Sequence, residues 1–362
     1  MSTDTRRWRF DASNPNHTLG LMLVVATVVF LVYEVATSPD VLSATMLKSL
    51  ALGSVYALIA LGFVLIFKAT EVVNFAQGAL AMIGALFISF MVADENLPII
   101  GFFTEVENPI YRLGGPEWLR WGLSVIVALG FVALLGLLLE RIAIRPMIGE
   151  PLFAVAVITL GLEVALRVMA NDAVKIQFRS VDAPWGSGGF KIGDSQFVNW
   201  SYFAAMITAA LAFVAVFIFF RTRTGISMRA VAHDQEAAMA QGISVGKVFA
   251  IAWAAGAVLA ALGGFFSTQP PADQTGAIDA DTSTLAFRAL PAVILGGLDS
   301  VQGALVGGLL VGSAEIFAGQ YLSGQTGWLG VGYPLIVPYV IMLITLLVRP
   351  YGLFGTPEVR RV

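Results

Sequence analysis

The sequence predicts an all-α protein, a bundle of about eight to ten transmembrane helices that includes one short or re-entrant segment. Two observations carry this prediction. First, 57% of the 362 residues are apolar and only 12% are charged, whereas about a quarter of the residues in a soluble domain are charged. Second, apolar runs recur along the chain, each close to the ~20 residues that cross a bilayer. Most of this apolar surface must therefore face lipid.

The first apolar run, 19–36, follows three arginines within the first nine residues and contains Glu34. A basic start of this kind resembles a signal peptide, but the run is long for a signal core. Its nearest match to a cleavage site directly precedes Pro39. We therefore interpret the run as a retained first span, with a cleaved signal peptide as the alternative.

The other apolar runs follow in order, at 46–67, 74–92, 119–139, 152–170, 201–220, 247–267, 285–297, 301–320 and 333–349. The run 285–297 is too short to cross the bilayer as a full helix, so it fits a half-helix or re-entrant segment. Within the following run, Gly303-x-x-x-Gly307 and Gly308-x-x-x-Gly312 predict close helix packing. Pro334 and Pro338 predict a kink in the last span.

The basic residues predict the orientation of these spans. With the N-terminus in the cytoplasm, a majority of the Lys and Arg residues fall on the cytoplasmic side, as the positive-inside rule requires. The predicted organisation is a cytoplasmic segment 1–18, a single transmembrane domain 19–350 with a cytoplasmic loop 221–246, and a cytoplasmic tail 351–362. The loops 93–118, 171–200 and 268–283 then lie outside, where they build part of the external mouth.

The composition excludes several classes of function. The absence of cysteine rules out disulfides, thiolate catalysis and Cys-based metal sites. The two histidines, His17 and His233, lie far apart and outside the apolar runs, which argues against a metal site and against a membrane-embedded enzyme with a histidine base. The net charge of −3 gives no reason to expect nucleic acid. We therefore expect no catalytic residue, no metal and no cofactor.

The loop 221–246 contains a polar stretch with strong helix propensity. Four of its residues recur at helical spacing and are predicted to share one face of a short amphipathic helix: Arg229, His233, Glu236 and Ala240. Ala237 and Ala238 are small enough to let another backbone approach closely, and Gly242 marks the end of the helix. Taken alone, this pattern fits a solvated helical loop as well as it fits a docking surface.

Two predicted helices open with related residues. The segments 74–80 (NFAQGAL) and 299–305 (DSVQGAL) share Gln-Gly-Ala-Leu, and each can be read as a capping box. They indicate either two related halves or two ordinary helix starts at the membrane surface. If the starts lie inside the protein, their N–H groups suit a carboxylate. The candidate residues for the substrate path are then Asn74, Gln77, Gly78, Asp299 and Gln302.

A charged pair lies inside the run 152–170. Glu163 and Arg167 are one helical turn apart, and Thr159 lies one turn before them. Because a charge at bilayer depth costs a few kcal/mol, both charged groups should face protein or water and pair with each other. Thr159 and Glu163 are therefore further candidates for the substrate path. The alternative is a structural pair near the end of the span, with Arg167 reaching the interface.

Several motifs, in order along the chain, resemble the permease subunits of branched-chain amino acid ABC importers. Glu236-Ala237-Ala238, followed by three residues and Gly242, resembles the EAA signature of ABC-importer permeases. The other motifs are 52–62 (LGSVYALIALG), 73–78 (VNFAQG), 292–298 (AVILGGL) and 349–355 (RPYGLFG). Gln77 departs from the family, which often has His at this position. The fold that the resemblance implies is the ABC-importer permease type.

The resemblance also implies partners, in a bacterial or archaeal cell (inner) membrane. The EAA loop would form a coupling helix that docks on cytoplasmic ABC ATPase subunits through Arg229, Glu236, Ala237, Ala238 and Gly242. ATP would be bound by those subunits, in agreement with the lack of a G-x-x-x-x-G-K-[ST] loop here. A second permease subunit, related or identical, and an extracytoplasmic solute-binding protein complete the implied assembly.

Three alternatives for the cargo and mechanism remain at this point. The resemblance implies a small-molecule substrate, a branched-chain amino acid, while urea or a short-chain amide is the alternative cargo. An ion-coupled secondary amino acid transporter would also explain the hydropathy and the charges within the spans. It would not explain the Glu-Ala-Ala segment with its following Gly.

Overall fold

The computed structural model describes residues 29–93, 96–99, 104–110, 116–174, 179–193, 196–272, 277–278, 282–322 and 332–356. The predicted cytoplasmic segment 1–18 lies outside these residues, as does most of the first predicted span. Residues 29–37, which are the end of that span and the residue that follows it, are helical and form α1.

Six helices in the described part are long and apolar enough to cross a membrane. They are α2 (Pro39–Thr70), α4 (Glu117–Leu139), α5 (Leu152–Val174), α6 (Trp200–Phe219), α9 (Val245–Ser267) and α11 (Val301–Phe317). Turns of π-helix extend α4 over Glu140–Ile144 and α11 over Ala318–Leu322, and a 3₁₀ turn, Arg145–Met147, follows the first of these. Three shorter apolar helices are α3 (Gln77–Ala93), α10 (Leu285–Gly296) and α12 (Val337–Val348), and two polar helices are α7 (Arg223–His233) and α8 (Gln235–Ala240). The predicted all-α transmembrane bundle is confirmed.

The helix boundaries differ from the predicted ones at positions where a proline lies in the first turn of a helix. α2 begins at Pro39, several residues earlier than predicted, because proline is well suited to the first turn of a helix, where no N–H is needed. The predicted kink in the last span is wrong. Pro334 lies in the first turn of a separate 3₁₀ segment, Tyr333–Leu335, and Pro338 in the first turn of α12, so the two prolines start helices instead of bending one.

The core of the bundle is built around α2 and α9. The most apolar stretch of α2 is 89% buried and that of α9 is 67% buried, whereas the corresponding value is 22% in α4, α5 and α6. The outer helices expose large apolar side chains such as Leu134, Phe153 and Leu211. Because water would oppose this exposure, these faces are suited to the hydrocarbon layer of a membrane.

Small residues set the distance between α11 and its neighbours, as the two Gly-x-x-x-Gly motifs predict. A Cβ on Gly312 would lie 2.3 Å from the backbone nitrogen of Gly53 in α2, and a Cβ on Gly308 would lie 2.5 Å from that of Ala57. On another face, a Cβ on Gly307 would lie 2.1 Å from the Ala292 carbonyl of α10. These helix backbones therefore touch directly, which is the van der Waals packing that stabilises helices in a bilayer.

Replacing Gly312 by alanine should destabilise the bundle by about 2 kcal/mol, because the added methyl group would push α11 away from the α2 backbone. The measurement is thermal unfolding of the purified protein in detergent. Gly130→Ala is the matched control, since Gly130 lies on the exposed side of α4 with no atom within 4 Å of its Cβ position. Equal melting temperatures for the two variants would contradict the close packing.

The three predicted external loops meet at one end of the bundle, which we call the loop end. Short antiparallel pairs form there: β1 (Asn96–Ile99) with β2 (Thr104–Glu107), β3 (Arg179–Ser180) with β6 (Ala277–Ile278), and β4 (Gly189–Ile192) with β5 (Gln196–Asn199). Gln269 Nε2 donates to the Val181 carbonyl (2.9 Å) and Trp121 Nε1 to the Asp182 carbonyl (3.1 Å). The insert 171–200 is therefore attached to the start of α4 and to the segment after α9.

Candidate functional site

Helix α3 begins inside the bundle. The fully buried Gln77 side chain donates from Nε2 to the Gly256 carbonyl of α9 (3.2 Å). A Cβ on Gly62 of α2 would lie 2.2 Å from the same Nε2. Gly62 precedes Thr70, the last residue of α2, by about 12 Å along the helix axis. The N-terminus of α3 therefore lies beside the interior of α2, well before the end of that helix. It is thus set inside the bundle, as the substrate-path hypothesis requires.

Asn74 caps this buried helix start. Its Oδ1 accepts a hydrogen bond from the Ala76 N–H (3.1 Å), and its Nδ2 donates to Gln77 Oε1 (3.1 Å). The side chains of Asn74 and Gln77 are both fully buried. The predicted cap and its glutamine partner are thus present, although the two side chains bind each other directly instead of each binding the other's backbone, as in a standard capping box.

Two side chains of α5 complete the polar contacts around the start of α3. Thr159 Oγ1 accepts from the Phe75 N–H (3.2 Å), and Glu163 Oε2 accepts from the Ala79 N–H (2.7 Å). The expected Glu163–Arg167 ion pair is wrong: in the part of the chain that the structure describes, Glu163 binds the N-terminus of α3 instead. A carboxylate is favoured there because the first N–H groups of a helix have no partner within it.

The first turn of α3 also meets the 3₁₀ turn Thr282–Thr284 that directly precedes α10. A Cβ on Gly78 would lie 2.1 Å from the Ser283 carbonyl, so only glycine allows this approach. Ser283 lies close to Glu163, and its hydroxyl interacts with the Glu163 carboxylate. Five predicted path residues therefore come together, and we call them the half-helix cluster: Asn74, Gln77, Gly78, Thr159 and Glu163.

Replacing Asn74 by alanine should reduce uptake several-fold and leave expression and ATPase association intact, because it removes the cap that fixes the start of α3. Uptake into cells and co-purification measure the two effects. Asn199→Ala is the matched control: Asn199 caps α6 by accepting from the Ser201 N–H (2.8 Å), away from the half-helix cluster. Loss of assembly with Asn74→Ala would show that Asn74 is merely structural.

The other two predicted path residues lie elsewhere. Asp299 is not the cap of α11; Ser300 is, since its Oγ accepts from the Gly303 N–H (2.9 Å). The Asp299 carboxylate instead accepts hydrogen bonds from the hydroxyl and the N–H of Thr356. Gln302 is exposed. The shared Gln-Gly-Ala-Leu sequences therefore open helices in two different environments, one buried and one at the surface.

The predicted tail folds back onto the bundle. The Leu353 N–H donates to the Leu295 carbonyl (2.8 Å) and the Phe354 N–H to the Gly296 carbonyl (3.0 Å). The motifs 292–298 and 349–355 are therefore direct neighbours. Residues 351–356 of the predicted tail 351–362 belong to the packed structure, and residues 357–362 lie outside the described part.

The polar stretch in loop 221–246 forms two helices, so the prediction of a single helix face is wrong. α7 ends at His233, and α8 begins at Gln235. Asp234 separates them with an extended backbone (φ −161°, ψ 107°), and its Oδ1 accepts from the Ala237 N–H (2.9 Å). An aspartate competes with helix continuation because its side chain can cap the next helix. Arg229 and Glu236 therefore lie on different helices.

Gly242 ends α8 in a Schellman motif. The Ile243 N–H donates to the Ala238 carbonyl (3.0 Å) and the Gly242 N–H to the Met239 carbonyl (2.9 Å), while Gly242 has φ +80°. This left-handed conformation favours glycine, which explains the residue in physical terms. Ala238 is buried and packs against the core.

The outer surface of α7 and α8 combines charged, small and apolar side chains. Arg229, Glu236, Ala237 and Gly242 are exposed, as the docking hypothesis requires. Ile226 and Met239 are also about half exposed, at 53% and 50%. We call this the coupling surface: Ile226, Arg229, Glu236, Ala237, Met239 and Gly242. Exposed apolar side chains beside these charged and small residues are compatible with the docking hypothesis.

An ion pair that sequence reasoning missed connects α4 to the end of this segment. Arg145 binds the buried carboxylate of Glu140 through two nitrogens (3.0 and 2.9 Å) and also donates to the Gly246 carbonyl (3.1 Å) in the first turn of α9. The π turn and the following 3₁₀ turn bring these two residues together although they are five apart. The sequence signal for this ion pair was the presence of opposite charges directly after the apolar run 119–139.

A second polar contact was missed inside the bundle. The Tyr56 hydroxyl of α2 donates to Glu315 Oε2 of α11 (2.6 Å), and both lie in predicted spans. Arg288, in the short helix α10, interacts electrostatically with both. The charged residues within the predicted runs 285–297 and 301–320 could have indicated this contact, because charges at bilayer depth are rare.

Known proteins with similar sequences show what class of protein this is. Residues 45–346 match the family model for the branched-chain amino acid transport system permease component. The chain is 30% identical over 331 residues to the high-affinity branched-chain amino acid transport system permease protein LivH of Escherichia coli K12, covering 88% of this chain and 96% of the relative. It is also 30% identical to BraD of Pseudomonas aeruginosa, covering 88% of this chain and 97% of the relative. The guanosine ABC transporter permease protein NupQ of Bacillus subtilis is 29% identical, covering 70% of this chain and 80% of the relative.

Together with the multi-pass helical fold, these similarities define a transmembrane permease subunit of an ABC importer. The chain belongs to the family of branched-chain amino acid transport system permease components, which its match over residues 45–346 shows.

Proposed function

We propose that this permease forms the translocation path for branched-chain amino acids that an extracytoplasmic binding protein delivers. The observation that carries the proposal is the 30% identity to LivH and BraD over 88% of the chain. In this proposal the subunit makes and breaks no bonds itself, and ATP is hydrolysed by separate ATPase subunits. A second permease chain is required because each chain contributes one coupling surface.

The proposed orientation puts the coupling surface in the cytoplasm. Lys68, Arg145, Arg221 and Lys247 lie at the same end of the bundle as this surface, which supports a cytoplasmic location by the positive-inside rule. In the proposal, Arg229, Glu236, Ala237 and Gly242 contact the ATPase, while Ala238 supports α8 from within. Closure of the ATPase pair moves α7 and α8 and changes which side of the membrane the path opens to.

The loop end is then external and receives the binding protein. A cavity of about 300 Å³ there is lined by residues of α4 and of the insert 171–200, among them Glu117, Trp121 and Asp182. In this proposal the half-helix cluster borders the path between the two ends, where the Ala79 N–H of α3 donates to the Glu163 carboxylate.

Transport by the purified system tests this function. The permease is placed in liposomes with its ATPase subunits, its second permease chain and its binding protein, and ATP-dependent uptake of leucine, isoleucine, valine, urea and guanosine is measured. We expect uptake of the three amino acids. Uptake of guanosine alone would favour a second candidate, a nucleoside permease, which the similarity to NupQ supports. Uptake driven by an ion gradient without ATP would overturn the importer mechanism.

A further inference from the structure

A polar group of four side chains lies among α2, α10, α11 and α12, apart from the half-helix cluster. It consists of Tyr56, Arg288, Glu315 and Tyr339, and we call it the midspan cluster. Arg288 acts electrostatically on the other three. None of these residues belongs to the predicted path or to the coupling surface.

The cluster lies at bilayer depth. Glu315 is about 21 Å along α11 from its first residue, Val301, and Tyr56 is about 21 Å along α2 from its last residue, Thr70. Lys68 donates to the Asp299 carbonyl (2.7 Å), so these two helix ends lie side by side. Both distances fall inside a hydrocarbon layer of about 30 Å, and the contact between Tyr56 and Glu315 confirms the common depth.

Tyrosine hydroxyl groups hold the cluster in place. The Tyr56 side chain is only 1% exposed, and its hydroxyl holds Glu315 Oε2 at 2.6 Å. The Tyr339 hydroxyl donates to the Phe287 carbonyl (2.9 Å), directly before Arg288. The backbone next to Arg288 is therefore fixed to α12, and the Glu315 carboxylate is fixed to α2. Fixed groups of this kind are suited to recognition, because little order is lost when a ligand binds.

The two opposite charges do not neutralise each other directly. Within the described residues, Glu315 and Arg288 form no ion pair, and both side chains remain partly exposed. A charge at this depth is costly unless it faces water or a partner of opposite charge. A stable apolar span would be expected to close such a pair, so each of these charges still lacks an ion-pair partner among the described residues.

We propose that Glu315 and Arg288 bind the ammonium and carboxylate groups of the amino acid as it crosses the membrane. This inference rests on the proposed function, since only a zwitterionic cargo offers both charges. The ammonium donates to the Glu315 oxygen that Tyr56 does not hold, and the Arg288 guanidinium donates to the carboxylate of the cargo. The apolar side chain of the cargo contributes little to this recognition, which fits a permease that accepts several branched-chain amino acids.

Neutral variants in the complete transporter test the proposal. Glu315→Gln keeps an acceptor for the Tyr56 hydroxyl but removes the negative charge, and Arg288→Gln removes the positive charge. Each should lower ATP-dependent leucine uptake roughly 10- to 100-fold, the loss expected for one charged hydrogen bond. Co-purification with the ATPase, and the stimulation of ATP hydrolysis by loaded binding protein, should remain. Arg288→Lys, which keeps the charge, should retain more uptake than Arg288→Gln.

Glu34→Gln is the matched control, because Glu34 is another largely buried carboxylate, on α1 and outside the midspan cluster. It should keep wild-type uptake. The proposal is overturned if Glu315→Gln transports leucine within twofold of the wild type. It is also overturned if uptake, ATPase stimulation and assembly fall together, since the cluster would then stabilise the fold or the contact with the second permease chain. If the wild-type complex moves no amino acid, the proposed function itself fails.

Discussion

Reversing the charge of Glu236 is expected to reduce ATP-dependent uptake by about 100-fold or more while the helix bundle stays folded. Glu236 is exposed in the first turn of α8, on the coupling surface. A reversed charge in a protein interface costs several kcal/mol, and each 1.4 kcal/mol changes affinity tenfold. The measurement is co-purification of Glu236→Arg with the ATPase, together with uptake in proteoliposomes.

The matched control is Glu150→Arg. Glu150 is an exposed glutamate in the short connection between α4 and α5, so the change of charge is the same and lies at the same end of the bundle. We expect Glu150→Arg to retain ATPase binding and uptake. Equal loss in both variants would show a general effect of charge, and normal ATPase binding by Glu236→Arg would remove α8 from the proposed interface.

Replacing Glu163 by leucine is expected to abolish uptake and to destabilise the bundle by about 1–3 kcal/mol. The substitution leaves the buried Ala79 N–H without its acceptor, and a lost partner of this kind carries the full cost of desolvation. It also removes the negative charge from the N-terminus of α3. Thermal unfolding in detergent and uptake in proteoliposomes measure the two effects separately.

Two further variants separate the hydrogen bond from the charge of Glu163. Glu163→Gln keeps an oxygen acceptor for Ala79 and should restore most of the stability. Arg167→Leu changes a charge one turn further along α5, where no ion pair to Glu163 is present in the described structure, and should leave uptake and stability near the wild type. If Glu163→Leu melts at the wild-type temperature, the contact with α3 contributes nothing to the fold.

The positions of the helices could be read from the sequence because the signal is local. The apolar run 247–267 agrees within two residues with α9 (Val245–Ser267), and the short run 285–297 agrees with α10 (Leu285–Gly296). The glycines of α11 also predicted close helix packing, because the positions that lack a side chain can be read directly from the sequence. The position of Gly242 likewise indicated a helix end, which its φ of +80° confirms.

Predictions from local sequence patterns were wrong where a side chain had two possible hydrogen-bond partners. Asp234 could continue a helix or cap a new one, and the periodicity of Arg229, His233 and Glu236 gave no weight to the second option. Asp299 could cap α11 or bind the returning tail, and Ser300 next to it was free to take over the cap. In both cases a short polar side chain could hydrogen-bond a different partner from the expected one.

The sequence by itself determined that this chain is a multi-pass membrane permease with one polar helical segment between two spans, because hydropathy and short motifs are properties of neighbouring residues. Only the tertiary structure decided which polar groups meet. Glu163 binds the start of α3, and Tyr56 binds Glu315 across 259 positions of sequence. Such contacts depend on which helix faces pack together and at what height. That outcome results from the summed packing of many small residues along α2, α9 and α11, which no single stretch of sequence contains.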